Sequence, residues 1–165
     1  MIQKYCSDCG SLLEERKLEG EGIVPFCPHC EAWRFPMYNM AVSMIVINRA
    51  NDRILLIQQY GKKRNILVAG YVNRGESAEA AALREIREET GMTATELHFN
   101  RTRFYEPSNT LMMNFTAYVE DDSELCPNRE IDSLAWYTPK EAREAIAPGS
   151  LAAEFLCTYL DQNDL

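Results

Sequence analysis

The stretch Gly70–Met92, GYVNRGESAEAAALREIREETGM, decides how this chain folds and which chemistry it can support. From Ser77 to Thr90 it contains no Gly or Pro and is rich in Ala, Glu, Arg and Leu, a composition that predicts a helix. Gly91 follows where a left-handed C-terminal cap belongs. One side of this helix carries small and aliphatic residues that we expect to pack on a sheet, namely Ala78, Ala82, Leu83 and Ile86.

Three glutamates of the predicted helix, Glu85, Glu88 and Glu89, stand at positions i, i+3 and i+4 and therefore share one side of it. As plain surface they would weaken the helix, because like charges repel. They suit a hard divalent cation such as Mg²⁺ or Mn²⁺, which prefers oxygen ligands and cancels the repulsion. Arg84, beside them, can form salt bridges that orient the carboxylates.

The loop before the helix carries two glycines and a glutamate. Gly70 and Gly75 allow a sharp turn and a close approach of the backbone to a ligand. Glu76 stands just before the helix, where its carboxylate could cap free backbone N–H groups or reach the metal ligands.

This segment resembles the Nudix box, G-x5-E-x7-R-E-U-x-E-E-x-G-U, in which U is a bulky aliphatic residue. All nine fixed positions are filled without a gap, by Gly70, Glu76, Arg84, Glu85, Ile86, Glu88, Glu89, Gly91 and Met92. The alternative, a solvated Glu/Arg helix, would not carry Gly70 and Glu76 in register. The resemblance implies an α+β fold, an α/β/α sandwich with a mixed sheet. It also implies an enzyme that hydrolyses a nucleoside diphosphate derivative, with the three helix glutamates as metal ligands. Arg84 would orient them, and Gly70 and Glu76 would shape the loop.

Four of the six cysteines form two C-x-x-C pairs near the N-terminus: Cys6, Cys9, Cys27 and Cys30. This spacing predicts a closed, tetrahedral Cys₄ zinc site. Disulfides are disfavoured in a reducing cytosol, and a redox C-x-x-C normally occurs once. A segment of ~35 residues buries too little core to fold unaided, so we expect a structural role for the zinc. We therefore divide the chain into a zinc ribbon, residues 1–35, and a hydrolase domain, residues 36–165.

A zinc ribbon before a Nudix box resembles the NADH pyrophosphatase branch of the family, and the likeness extends to residues 34–36 and 67–72. The resemblance implies an adenine dinucleotide substrate such as NADH, NAD or ADP-ribose, and a homodimer. One stretch departs from the pattern. That branch carries S-Q-P-W-P-F-P-x-S after the box, whereas residues 105–112 read YEPSNTLM and lack the Trp and Phe.

Two further residues are candidates for the site. Glu130 matches a metal-contacting glutamate of that branch, although a plain loop glutamate is the alternative. Tyr71, directly after the box glycine, could stack on a base or belong to the core. His29, His98 and the basic loop 62–64 are expected to be structural or solvated rather than catalytic.

Charge and hydropathy narrow the possible partners. The 165 residues carry a net charge of −8, which disfavours non-specific nucleic-acid binding, so we expect a small nucleotide substrate. No apolar run approaches the ~20 residues that cross a bilayer, and the N-terminus lacks a signal-peptide core, so we expect a cytoplasmic protein without membrane contact. Two other functions remain open: a non-catalytic nucleotide sensor that binds a partner through the ribbon, and removal of an NAD cap from RNA.

The remaining elements follow from alternation, turn residues and caps. Thr138-Pro139-Lys140-Glu141 has the form of a capping box at a helix start, and Ser150 can cap a last helix. We predict strands at 41–48, 53–59, 66–69, 94–105, 111–120 and 134–137, and helices at 77–90, from 138 to near 148, and from 150 to about 160.

Overall fold

The computed structural model describes residues 3–165, which form two compact units, one ending at Asn39 and one running from Met40 to Leu165. The first unit is an antiparallel sheet of three short strands in the order β1-β2-β3. These strands are β1 (Glu14–Leu18), β2 (Gly22–Cys27) and β3 (Ala32–Trp33). Among its described hydrophobic residues, only Cys6, Val24 and Cys27 are fully buried. So small a core cannot hold the unit together by apolar burial alone.

The second unit is built on a six-stranded sheet in the order β7-β8-β4-β5-β9, with β6 paired to β4. Its strands are β4 (Asn39–Asn48), β5 (Arg53–Gln59), β6 (Val68–Tyr71), β7 (Glu96–Tyr105), β8 (Thr110–Val119) and β9 (Ile131–Tyr137). Its helices are α1 (Ala78–Thr90), α2 (Pro139–Ala145) and α3 (Leu151–Gln162), and a 3₁₀ turn spans Glu106–Ser108. Every strand and helix predicted from the sequence of this unit is present.

Alternate residues of the central strands face opposite layers of helix. On β4, Val42, Met44 and Val46 belong to the core cluster that contains the buried residues of α1. Ile45 and Ile47 belong to the second cluster, with the buried residues of α2 and α3. Because side chains alternate along a strand, one buried strand supplies both layers. The expected α/β/α sandwich with a mixed sheet is therefore confirmed.

Several strand boundaries differ from the sequence prediction by one to three residues, and the pairing explains two of the differences. The third strand of the sandwich begins at Val68 rather than at residue 66, because Ile66 exchanges two backbone hydrogen bonds with Ile57 as an isolated bridge. The last strand begins at Ile131, three residues earlier than predicted, because Ile131 pairs with Gln59 across a β-bulge. This early pairing joins the end of β5 to the segment that precedes β9.

The capping box of α2 and the C-terminal cap of α1 are those that the sequence predicts, whereas the N-cap of α1 is Ser77, which was expected to be the first helical residue. The Ser77 hydroxyl accepts the Ala80 N–H at 3.1 Å at the start of α1, and Gly91 ends that helix with a φ of 77°. Thr138 and Glu141 form the capping box of α2, each side chain accepting the backbone N–H of the other.

The prediction that Leu83 packs on the sheet is wrong, because 41% of its surface is exposed. The buried apolar residues of α1 are instead Ala81, Ala82 and Ile86, and the polar residues Glu89 and Thr90 are buried as well. A step of one residue turns a helix by ~100°, which takes Leu83 away from the face that Ala82 occupies. No helix within residues 3–165 is long and apolar enough to cross a membrane.

The end of α1 tests the contribution of Gly91. A Cβ there would lie 2.9 Å from the Glu124 carbonyl oxygen and 3.1 Å from Cys126, in a left-handed backbone. We expect Gly91→Ala to lower the free energy of unfolding by about 2–3 kcal/mol, measured by urea denaturation. Gly149→Ala is the control, because Gly149 has a φ of 68° with nothing within 4 Å. Gly149→Ala should lower the free energy of unfolding by only about 1 kcal/mol, because it strains the left-handed backbone without causing a steric clash. Equal losses would contradict the steric part of this explanation.

Candidate active site

Arg84 of α1 binds three carboxylates at once. Its Nε and Nη2 donate to the two oxygens of Glu76 at 2.8 and 3.0 Å, in a two-pronged pair. Its Nη1 donates to Glu85 at 2.7 Å and to Glu88 at 3.0 Å, and Nη2 also reaches the Tyr71 carbonyl at 3.0 Å. Only the planar, five-donor guanidinium can make this set of bonds, so a lysine could not replace it.

Glu76 anchors this arrangement in the loop before the helix. Besides binding Arg84, it accepts the backbone N–H of Asn73 at 3.0 Å. The hydrogen bonds from Arg84, with that from Asn73, lower the pKa of Glu76 to about 2. The cap of α1 is Ser77 rather than Glu76, and the Glu76 carboxylate is bound to Arg84.

Gly70 on β6 is required by the position of Glu85. A Cβ on Gly70 would lie 1.9 Å from the carboxyl carbon of Glu85, so any other residue would displace that side chain. The close approach predicted at Gly70 is therefore made to a side chain of the box itself. Gly75, by contrast, has a φ of 84° in open space and serves the turn.

Glu89 is a buried carboxylate with incomplete hydrogen bonding. Only 4% of its surface is exposed. Its Oε1 accepts the side-chain amide of Gln59 at 2.9 Å, whereas its Oε2 has no hydrogen-bond partner. Burial raises the pKa of Glu89 to about 7, and the nearby charges of Glu85 and Glu130 add to the effect. An unsatisfied buried oxygen is costly, and a cation beside it would remove the cost.

These carboxylates share a cavity of about 540 Å³, a volume within the range of small-molecule sites. Glu85, Glu88, Glu89 and Glu130 all line it, so Glu130 lies beside the box glutamates. Tyr71 also lines it and is 58% exposed, which excludes the alternative that Tyr71 is a core residue.

The sequence analysis missed several lining residues, among them Gln59, Tyr60 and Asn128. Gln59 and Tyr60 follow the apolar run of β5, and that change to polar residues at a strand end was an available signal. The Tyr60 hydroxyl donates to Glu130 at 2.7 Å, and this bond raises the pKa of Tyr60 to about 12. Asn128 offers no signal in a single sequence.

The carboxylate oxygens of the box glutamates are suitable ligands for a hard divalent cation, although they lie farther apart than the cysteine sulfurs. Among the described residues, the cysteine group alone places three or more possible ligand atoms within 4.8 Å of one another. Glu85 and Glu88 are spread because both bind Arg84, while Glu89 is held by Gln59. Carboxylate oxygens with one buried, unpartnered member are the donors that Mg²⁺ and Mn²⁺ prefer.

The four cysteines of the first unit fit a tetrahedral metal ion. The Sγ atoms of Cys6 and Cys30 lie 4.0 Å apart, and those of Cys9 and Cys27 lie 3.5 Å apart. Four thiolates bound at the usual zinc distance have sulfurs about 3.8 Å apart. All four are free thiols rather than disulfides.

Arg34 adds an outer contact to this cysteine group, since its Nε donates to the Cys6 sulfur at 3.1 Å. Desolvation opposes ionisation of Cys6, but the bond from Arg34 and backbone N–H groups lower its pKa to about 6. Cys6 therefore favours the thiolate form that binds metal, whereas the hydrogen bond with Cys9 and desolvation raise the pKa of Cys30 to about 12.

The residues expected to be non-catalytic do not line the cavity. His98, on β7, contacts Glu96 at 2.5 Å, and both side chains are exposed. His29 and residues 62–64 are also exposed and do not line the cavity.

Comparisons with known proteins agree with this architecture. The family model described as "NUDIX domain" matches residues 37–156. The solved structure of a NUDIX hydrolase from Nitrosomonas europaea superimposes with a TM-score of 0.66 at 21% identity, covering 98% of this chain and 93% of its own. A C. elegans Ap4A hydrolase superimposes with a TM-score of 0.62 at 21% identity, and the match covers 75% of this chain and 98% of the C. elegans chain. At these identities the likeness shows the fold alone.

Two curated relatives carry the description "NAD-capped RNA hydrolase NudC". The protein from Pseudomonas aeruginosa is 29% identical over 161 residues, which is 95% of this chain and 55% of that protein. The Escherichia coli protein is 28% identical over 155 residues, 93% of this chain and 58% of its own length. The chain thus spans little more than half the length of these relatives. With the domain model matching residues 37–156, the chain belongs to the NUDIX family.

Proposed function

We propose that this protein is a pyrophosphohydrolase that uses Mg²⁺ or Mn²⁺ to cleave the diphosphate bond of a nucleoside diphosphate derivative. The observation that carries the proposal is the carboxylate wall of the cavity, where Glu89 is buried with one oxygen unpartnered. A wall of carboxylates would repel an anionic substrate. A divalent cation reverses that repulsion, which makes metal-assisted hydrolysis the reaction class that the geometry favours.

The residues of the chain would divide the work as follows. Glu85, Glu88 and Glu89 would hold the cation, with Glu130 as a fourth oxygen donor lining the same cavity. When bound, the cation stabilises charge on the phosphate oxygens and activates water. Arg84 keeps Glu85 and Glu88 oriented, and the ionised Glu76 holds Arg84.

The substrate class we propose is an adenine dinucleotide such as NADH, NAD or ADP-ribose. The names of the relatives support an NAD-containing substrate. Tyr71 supports it too, because an exposed ring on the cavity wall can stack on a base for about 1–3 kcal/mol. Ser108, Thr110 and Met112 line the cavity in the stretch that departs from the NADH pyrophosphatase pattern. These residues would therefore set the preference among dinucleotides.

NAD-capped RNA is the second candidate, and the description of the curated relatives favours it. The net charge of −8 disfavours it, because RNA binding relies on cationic contacts with phosphates. A nucleotide sensor without turnover is less favoured, since Glu85, Glu88 and Glu89 are all present. The homodimer stays a prediction.

The cysteine group is assigned a structural Zn²⁺. Its sulfur spacing supports tetrahedral binding, and the small buried core of the first unit gives the ion a stabilising role.

A substrate panel tests the reaction class. The full chain is incubated with Mg²⁺ or Mn²⁺ and NADH, NAD, ADP-ribose, FAD or a short NAD-capped RNA, and the products are identified by chromatography. We expect release of mononucleotides from at least one free dinucleotide, faster than from the capped RNA. No cleavage of any compound would contradict the enzyme, and tight binding without turnover would support the sensor instead.

Replacing one box glutamate tests the metal role. Glu88→Gln keeps the size of the side chain but removes its charge. Loss of a residue that only supports a metal ligand lowers activity up to ~100-fold, so loss of a ligand itself should lower kcat by at least ~100-fold. Glu79→Gln is the matched control, because Glu79 is an exposed glutamate in the first turn of the same helix and does not line the cavity. A full rate in Glu88→Gln would refute the assignment.

Zinc removal tests the structural site. We expect about one zinc per chain by metal analysis, and a lower unfolding temperature after chelation. Cys9→Ser should lose the zinc, whereas Cys157→Ser, outside the group, should keep it. Zinc-free protein that unfolds at an unchanged temperature would rule out the structural role.

A further inference from the structure

The end of strand β5 holds two carboxylates that come from different parts of the chain. Gln59, itself 8% exposed, donates its side-chain amide to Oε1 of Glu89 at 2.9 Å. Tyr60 donates its hydroxyl to Oε2 of Glu130 at 2.7 Å. Glu89 lies on α1, whereas Glu130 directly precedes β9. Two adjacent residues thus tie together two acidic groups that line one cavity.

An unusual backbone conformation makes this possible. Neighbouring residues of a strand point to opposite faces, so both could not serve one cavity if β5 stayed extended. Tyr60 leaves the strand with a φ of 56° and Gly61 follows with a φ of 69°. The Gly61 N–H donates to the carboxylate of Asp132 at 2.6 Å, which holds the turn. A bulky residue rarely adopts a positive φ, and such positions are concentrated at functional sites.

The unpartnered oxygen of Glu89 indicates what the arrangement holds. Because Gln59 binds Oε1, the orientation of the carboxylate is fixed, and Oε2 is left without a hydrogen bond on a residue that is only 4% exposed. Metal-binding side chains are commonly oriented in this way, by a hydrogen bond to an atom other than the ligating one.

We propose that Gln59 and Tyr60 are positioning residues that orient Glu89 and Glu130 as oxygen ligands of one divalent cation. This inference rests on the proposed function, because it assumes that a cation occupies the cavity. Neither residue is assigned a contact with the substrate or the cation. Removal of such supporting partners weakens metal binding about 10–100-fold.

The test measures Mn²⁺ affinity directly, by following free Mn²⁺ with electron paramagnetic resonance as it is titrated into the zinc-loaded full chain. Gln59→Leu and Tyr60→Phe should each raise the dissociation constant about 10–100-fold. Gln58→Leu is the control. Gln58 lies on the same strand and loses a bond of the same type, to Asn65 at 2.8 Å, but it does not line the cavity. The Mn²⁺ affinity of the Gln58→Leu variant should match that of the unmodified chain.

An unchanged dissociation constant in either variant would overturn the positioning role of that residue. Should Gln59→Leu fail to fold, Tyr60→Phe alone decides, because it removes only a hydroxyl from a side chain on the surface. If the unmodified chain hydrolyses dinucleotides and Gln59→Leu and Tyr60→Phe bind Mn²⁺ normally, this inference fails while the proposed function stands. If the unmodified chain binds Mn²⁺ with the expected losses but hydrolyses nothing, the proposed function fails instead.

Discussion

The site depends on one guanidinium group. Arg84 forms ion pairs with Glu76, Glu85 and Glu88, three carboxylates that would otherwise repel one another. Its two-pronged bond to Glu76 ties the helix to the loop before it, and its bond to the Tyr71 carbonyl ties the helix to β6. One side chain therefore ties together three segments, namely α1, the loop before it and β6.

Glu89 obeys a different constraint, because Arg84 does not reach it. It is buried, and it is held by the neutral amide of Gln59. A neutral donor orients a carboxylate without cancelling its charge. Glu76, Glu85 and Glu88 are therefore paired with the charge of Arg84, whereas the charge of Glu89 is not paired. A cation would be stabilised most by the unpaired carboxylate of Glu89. Gly70 serves the site sterically, because the absence of a side chain there leaves room for the Glu85 carboxylate against β6.

Much of this could be predicted from the sequence, because the signals were local. The helix, its C-terminal cap at Gly91 and the capping box of α2 depend on neighbouring residues, and all were found where expected. The contacts of Gly70 and Gln59 could not be predicted, because they join residues distant in the chain. Tyr60 was missed for a further reason: its position depends on a positive φ that tyrosine seldom adopts.

The central claim is that a divalent cation binds at the box glutamates, and crystallography with Mn²⁺ tests it most directly. Anomalous scattering from crystals soaked in Mn²⁺ would locate the ion. We expect a peak in the cavity within bonding distance of at least two carboxylates among Glu85, Glu88 and Glu89, with Oε2 of Glu89 as one of the contacts. A peak only at other carboxylates, or none in crystals whose cavity is open to solvent, would contradict the account.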